Sequence, residues 1–360
     1  MRVLFIIRAS AKYNKGGDLV QVNNTAECLR KIGVTIDIKY SDEKINYNIY
    51  DLLHFFNILR PADILKHINK SKKKFVISTI FLDLSEYEKK VRKGIASYIS
   101  KILSGDKTEY IKVIARAIIN SEKINSLSYL LLGQKRSVQL IAKKAACLLP
   151  NSFNEYQRFK KQYRIEQHFK VVPNGIDDTI LKKDLAAPDK DPLLIICVAR
   201  IEPYKNQLKL IKALNNTDFK LVIVGTHSIN AAKYYEECKN RAAANVIFAG
   251  RISQQELINY YKKAKVHVLA SWFETTGLSS LEAASQRCNV VITDKGDTRE
   301  YFEDYGFYCE PDSEKSIFNA VQKAAKTDFD ERFHTKIYQQ YTWMQAARKT
   351  LEAYKEVLQT

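Results

Sequence analysis

Two acids eight residues apart, Glu274 and Glu282, frame the segment SWFETTGLSSLEAA at 271–284. The apolar run before it, KVHVLA at 265–270, reads as a buried strand, and the run after it has helical spacing. One carboxylate is therefore expected at a strand's carboxyl end. The other should lie about two turns into the following helix, with helix-opening amides between them. In an open α/β sheet that is where ligands bind. Such amides attract phosphate, and carboxylates accept hydrogen bonds from sugar hydroxyls. A second segment, VARIEPYKNQ at 198–207, follows another predicted strand and places Arg200 and Lys205 in the loop behind it. Two cations there suit a departing diphosphate. Together these residues describe a site for a nucleotide sugar.

The elements that must position them alternate between short apolar runs and helical patterns. RVLFIIR (2–8), TIDIKY (35–40), YDLLHFF (50–56) and KKFVISTIF (73–81) are predicted strands, with a helix near 18–32 stopped at Gly33. KAACLLPNS (144–152) and FKVVPNGID (169–177) close the first half. LLIICVAR (193–200), FKLVIVG (219–225), ANVIFAGR (244–251), KVHVLAS (265–271) and NVVITDKG (289–296) repeat the scheme. This alternation implies parallel sheets of βαβ units. Turn residues between Pro173 and Pro192 mark a linker, and TWMQAARKTLEAYKEVL (342–358) has the spacing of a final helix. Residues 88–145 break the strand rhythm. IASYISKIL (95–103) and YIKVIARAII (110–119) are amphipathic by spacing. They suit either packing on the sheet or dipping into a bilayer surface beside Lys89, Lys90, Arg92 and Lys93.

A chain of 360 residues holds two ordinary domains, and its net charge of +18 is unevenly spread. Residues 1–170 carry 32 Lys and Arg against 15 Asp and Glu, a net of +17, which leaves +1 for the rest. A basic half suits an anionic partner, membrane lipid or nucleic acid. No helix-turn-helix, zinc-finger or single-strand-binding signature accompanies it, so nucleic acid is not the expected partner. The six cysteines form no C-x-x-C pair and several fall in apolar runs, as expected of buried thiols in a reducing compartment. The first apolar run is broken by Arg8 and is too short for a signal peptide, and no run approaches a membrane span. A cytoplasmic protein, soluble or peripheral on the membrane, is expected.

The ordered set of motifs resembles the retaining glycosyltransferases of family 4, the glycosyl transferases group 1. The matching residues are Gly16-Gly17 after the first strand, VVPNGID at the linker, VARIEPYKNQ, VIFAGRIS at 246–253, Glu274-x7-Glu282 with GLSSLEA, and the C-terminal TWMQAARKTLEAYKEV. The resemblance implies the α/β GT-B fold: two Rossmann-like domains with parallel sheets facing a central cleft. An N-terminal acceptor domain would span 1–172, a donor domain 173–341, and a C-terminal helix, 342–360, would cross back to the first domain. It further implies that Arg200 and Lys205 bind the donor diphosphate and that Glu274 contacts donor-sugar hydroxyls. The amides of Thr275, Thr276, Gly277 and Leu278 would reach sugar and phosphate, Glu282 would hold the ribose, and Arg251 and Ile252 would face the nucleobase. Gly16 and Gly17 would admit the diphosphate close to the backbone. His54 stands where the family often has a histidine.

Three departures stand out. The histidine of a T-x-H-D pattern is replaced in STIFLDLSEYE, with Phe81 nearest and Asp83 a candidate substitute. Glu-Gly-Phe-Gly becomes Glu274-Thr-Thr-Gly277, and a Gly and a Pro beyond the second Glu become Arg287 and Asn289. The implied reaction is retaining transfer by an internal-return-like path to a glycan hydroxyl. The acceptor would be lipid-linked, in surface-polysaccharide synthesis at the inner membrane face. No metal or other cofactor is expected, since no His/Cys/Asp cluster has ligand spacing. A non-catalytic nucleotide-sugar-binding or scaffold protein of the same fold is the alternative.

Overall fold

The structure is a computed structural model. It describes residues 1–13, 16–83, 85–90, 106, 110–111, 126–177 and 189–359. The chain divides into two compact units, one of Met1–Asn174 with Trp343–Thr360 and one of Gly175–Thr342. The runs at 95–103 and 110–119 lie outside the described residues except for Tyr110 and Ile111, and the expected linker is described only at 173–177 and 189–192.

The first unit holds a five-stranded parallel sheet in the order β2-β1-β3-β4-β5. Its strands are β1 Arg2–Ile7, β2 Thr35–Tyr40, β3 Leu52–Phe56, β4 Phe75–Ser78 and β5 Cys147–Leu149. β1, β3 and β4 are covered on both faces, which is why they are almost continuously apolar. β2, at the edge, alternates Ile with Asp and Lys. The helix Gly17–Lys31 ends as expected, with Gly33 at φ +86 and the Val34 amide on the Leu29 carbonyl at 3.0 Å. The C-terminal helix Trp343–Gln359 belongs to this unit and packs against Gly17–Lys31. It buries Ala346, Ala347, Thr350, Ala353, Tyr354 and Val357, and Lys170 meets Glu352 and Glu356 at 3.1 and 2.7 Å.

The second unit holds a six-stranded parallel sheet in the order β11-β10-β9-β6-β7-β8. Its strands are β6 Asp191–Val198, β7 Lys220–Val224, β8 Val246–Gly250, β9 Ala264–Leu269, β10 Asn289–Thr293 and β11 Gly306–Cys309. The edge strand β11 is not expected from sequence: its four residues, GFYC, are too few to show a period. Sequence order runs one way from β6 through β7 to β8, then restarts on the other side with β9. β6 and β9 therefore flank the topological switch point, where the loops that follow them diverge and leave room for a ligand.

Candidate functional site

The loop after β6 is shaped before it carries any chemistry. Gly225 ends β7 at φ +141, and a Cβ there would lie 2.0 Å from the Ala199 carbonyl oxygen, so the backbone following β6 presses directly on β7. The Ala199 and Ile201 amides bond to the Val224 and Thr226 carbonyls at 3.1 and 3.0 Å. A single 3-10 turn, Pro203–Lys205, follows, and Asn206 turns the chain at φ +62 into the helix Gln207–Leu214. The Asn206 side-chain amide donates to the Ala270 and Pro311 carbonyls at 2.9 and 2.7 Å. It thereby ties the β6 loop to the β9 loop. The Trp272 amide bonds to the Tyr204 carbonyl at 3.0 Å, and the Tyr204 hydroxyl donates to the Phe273 carbonyl.

This stitching brings Lys205 and Glu274 together. The Lys205 Nζ lies 2.6 Å from Glu274 Oε1, with side chains 19% and 8% exposed. Ser271 Oγ donates to the same oxygen at 2.6 Å. The Glu274 backbone is held from the β10 loop: its amide bonds to the Lys295 carbonyl at 3.1 Å, and its carbonyl accepts from Asp297 at 2.9 Å. Gly296, at φ +100, lies so close that a Cβ would stand 2.0 Å from the Glu274 carbonyl oxygen. Arg200 is not part of this pair. It is more than half exposed and pairs with Glu202 at 3.0 Å.

Glu274 through Gly277 form the loop. Gly277, at φ +70, caps the helix Leu278–Ser285. Ser279 Oγ donates to the Val198 carbonyl at 2.9 Å, pinning that helix's first turn to the end of β6. The opening amides thus stand at the switch point, where helix geometry leaves them without carbonyl partners in their own helix. Because the helix begins only at Leu278, Glu282 lies about one turn inside it, not the two expected. Its Oε2 accepts from the Tyr261 hydroxyl at 3.3 Å, and burial pushes its carboxyl up to about 7. Arg251 is exposed and Ile252 half-buried beyond β8, two strands from β6; Ile252 packs on the core.

In the first unit, Gly16 caps the helix Gly17–Lys31, and a Cβ on it would meet the Asp18 carboxylate at 2.7 Å. Gly17 has open space around its Cα. Asp83 accepts from the Ser85 amide at 3.0 Å at the start of a short helix, the bonding of a turn residue. His54 belongs to the core. It lies within β3, 1% exposed, with Nδ1 on the Tyr354 hydroxyl at 2.6 Å and Nε2 on Ser78 Oγ at 2.9 Å. Burial holds it neutral, with a pKa lowered to about 3, and its work is to fasten β3, β4 and the C-terminal helix. Phe81 is 2% exposed and packs edge-on against Phe159. Among the described residues no group of three or more His, Cys, Asp or Glu is placed to hold a metal. None of the helices there is long and apolar enough to cross a membrane.

Sequence reasoning missed Ser271, Tyr261 and Gly296. The only local hint was the Asp-Lys-Gly-Asp turn around Gly296, because Ser and Tyr side chains carry no spacing signal.

Residues 177–340 match the family described as Glycosyl transferases group 1. That match covers somewhat less than half of the chain, and this part of the chain is similar to that family. Among relatives of the group 1 glycosyltransferases, an uncharacterized glycosyltransferase of Methanocaldococcus jannaschii is 27% identical over 215 residues, 53% of this chain and 54% of that one. The phosphatidylinositol N-acetylglucosaminyltransferase GPI3 subunit of Saccharomyces cerevisiae is 23% identical over 211 residues, covering 53% and 46%. The chain spans about half the length of these curated relatives. The Anabaena protein HepE, solved in complex with UDP, superposes with a TM-score of 0.70 at 15% identity over 99% of this chain and 100% of that one. That likeness shows the fold, which is GT-B.

Proposed function

We propose that the protein is a retaining glycosyltransferase that moves a sugar from a nucleotide-sugar donor to a hydroxyl of a lipid-linked glycan, in surface-polysaccharide synthesis. One observation carries this reading: Lys205 and Glu274, from loops after adjacent strands, meet at 2.6 Å at the switch point beside a helix N-terminus. Neither charge is in bulk water, and each is satisfied by the other. A donor supplies replacements for both: its diphosphate for Lys205 and its sugar hydroxyls for Glu274. The solved complex of HepE with UDP and the group 1 match support a nucleotide-sugar donor.

In this reading Arg200 leaves Glu202 to join Lys205 on the diphosphate, and the amides of Thr275 to Leu278 face sugar and phosphate. Glu282 holds the ribose, Arg251 and Ile252 border the base, and Gly16-Gly17 give the diphosphate backbone access. The bond from the anomeric carbon to the diphosphate oxygen breaks, and its electron pair stays on the leaving group. The acceptor oxygen bonds to the same face of the sugar, and its proton passes to a diphosphate oxygen. Lys205, Arg200 and the helix N-terminus stabilise the charge that develops, without metal. The basic first unit would hold the acceptor's diphosphate and an anionic inner membrane face, keeping the enzyme peripheral and cytoplasmic. The relative that acts on phosphatidylinositol supports a lipid acceptor.

The buried Phe81 and His54 favour a second reading, a binding protein without transfer, because neither side chain is exposed. Calorimetry of the full chain against UDP-, GDP-, ADP- and dTDP-sugars, followed by transfer with membrane extract, separates the possibilities. Binding with transfer is expected. Binding alone selects the second reading, and no binding removes both.

A further inference from the structure

Glu282 sits in an arrangement that its proposed contact with a ribose does not require. Tyr261, at the end of the helix Gln254–Lys263, is fully buried and donates its hydroxyl to Glu282 Oε2. Tyr261 is itself clamped: its carbonyl accepts from Lys190 Nζ at 2.7 Å and from Cys288 Sγ at 3.0 Å. Lys190 also donates to the Gln286 carbonyl at 2.7 Å, one turn beyond Glu282. These bonds hold the Tyr261 backbone, and its buried phenol lies against the carboxylate.

The charges around this pair oppose one another. Burial and Asp177 favour the protonated acid, the Tyr261 hydrogen bond favours the carboxylate, and Glu282 comes to rest at about 7. Among the other titratable neighbours, burial lowers the Lys190 ammonium from its usual value. His267 on β9, its ring 6.0 Å from that of Tyr261, is held neutral by burial with a pKa of about 3. Burial pushes the Cys197 thiol up to about 12 and raises that of Cys288. Tyr261 itself is raised far above the neutral range.

We infer that Tyr261 is a positioning residue, holding the Glu282 carboxylate ionised and aimed at the donor's ribose, so that donor binding strengthens with rising pH across neutrality. This rests on the donor reading above. The two hydroxyls of a ribose both donate well to a carboxylate, and Oε1 has no other partner among the described residues. A protonated acid offers only one good acceptor in the same place.

The test is calorimetry of UDP-glucose, GDP-mannose and ADP-glucose on the full chain between pH 6 and 8.5. In these probes both phosphates are esterified and do not titrate in this range. The wild-type affinity should rise about tenfold from pH 6 to 8, the span over which a group near 7 ionises. Tyr261→Phe should move the midpoint up by about one pH unit, raising the donor KM at pH 7 while kcat at pH 8.5 stays near wild type. Glu282→Gln should bind weakly with a flat profile. A flat wild-type profile, or a Tyr261→Phe profile that follows wild type at every pH, overturns the inference and leaves the donor reading standing. A slope that persists in Glu282→Gln overturns it too, and decides the matter if Tyr261→Phe does not fold. Failure of the wild type to bind any probe at any pH instead overturns the donor reading.

Discussion

After the first strand of each unit a cation finds an acid, but at different sequence separations. Arg8 grips Asp18 through two bonds of 2.6 and 3.0 Å, ten residues away on the next helix. Lys205 grips Glu274 across 69 residues, from the loop of another strand. The Arg8 pair closes within one βα turn and anchors the helix that follows. The Lys205 pair closes a seam between two loops, and a ligand that separates the charges does so without unwinding either element. Short-range pairing in the first unit is architecture. In the proposed reading, long-range pairing in the second leaves charge that a donor can draw on.

The comparison breaks most directly at Glu274. Glu274→Gln keeps the side-chain shape and an acceptor for Ser271 but removes the charge. Transfer from whichever donor binds should fall about 100- to 1,000-fold, while thermal unfolding shows a folded protein. Near-normal turnover would reduce the Lys205–Glu274 pair to the same architectural rank as Arg8–Asp18. Gly296→Ala should come next. Its Cβ would collide with the Glu274 carbonyl, and denaturant titration should show a loss of about 3 kcal/mol together with reduced transfer. Unchanged stability would mean that the β10 loop does not hold Glu274 in place.

The effect with the least reach into transfer sharpens the comparison by showing what the units share. His54 and His67 in the first unit and His267 in the second are buried, with pKa values lowered to about 3, 4 and 3. Folded, they stay neutral below pH 6.5, where the unfolded chain protonates them. Stability is therefore complete above pH 6.5 and falls on acidification toward pH 4, by about 1.4 kcal/mol per pH unit for each histidine. Denaturant titrations at pH 7, 6 and 5 measure the slope. His54→Gln should flatten it by one proton and leave transfer per folded molecule unchanged. A drop in transfer would return His54 to the site.

Much of this was legible beforehand because parallel strands are covered on both faces and must be apolar throughout. LFII in β1, LIIC in β6 and VVI in β10 announce themselves for that reason. β11 did not, being four residues at an edge, three of them only half-buried. Glu274 and Lys205 were legible as types in loops after strands. Their contact was not, because strand order rather than sequence order puts β9 beside β6. His54 drew notice only because the resemblance puts a histidine there. Only the packing of the C-terminal helix, which sets Tyr354 against its ring, shows it as core.

By itself the sequence determined the strands other than β11, which loops would hold acids and cations, and that the first half would be basic. These follow from local spacing and composition. Tertiary structure alone decided which acid each cation meets and how far Glu282 sits inside its helix. It also decided that a buried tyrosine, with no motif to mark it, stands against that acid. Such contacts join residues far apart in the chain, and they exist only once two strands distant in sequence have become neighbours in one sheet.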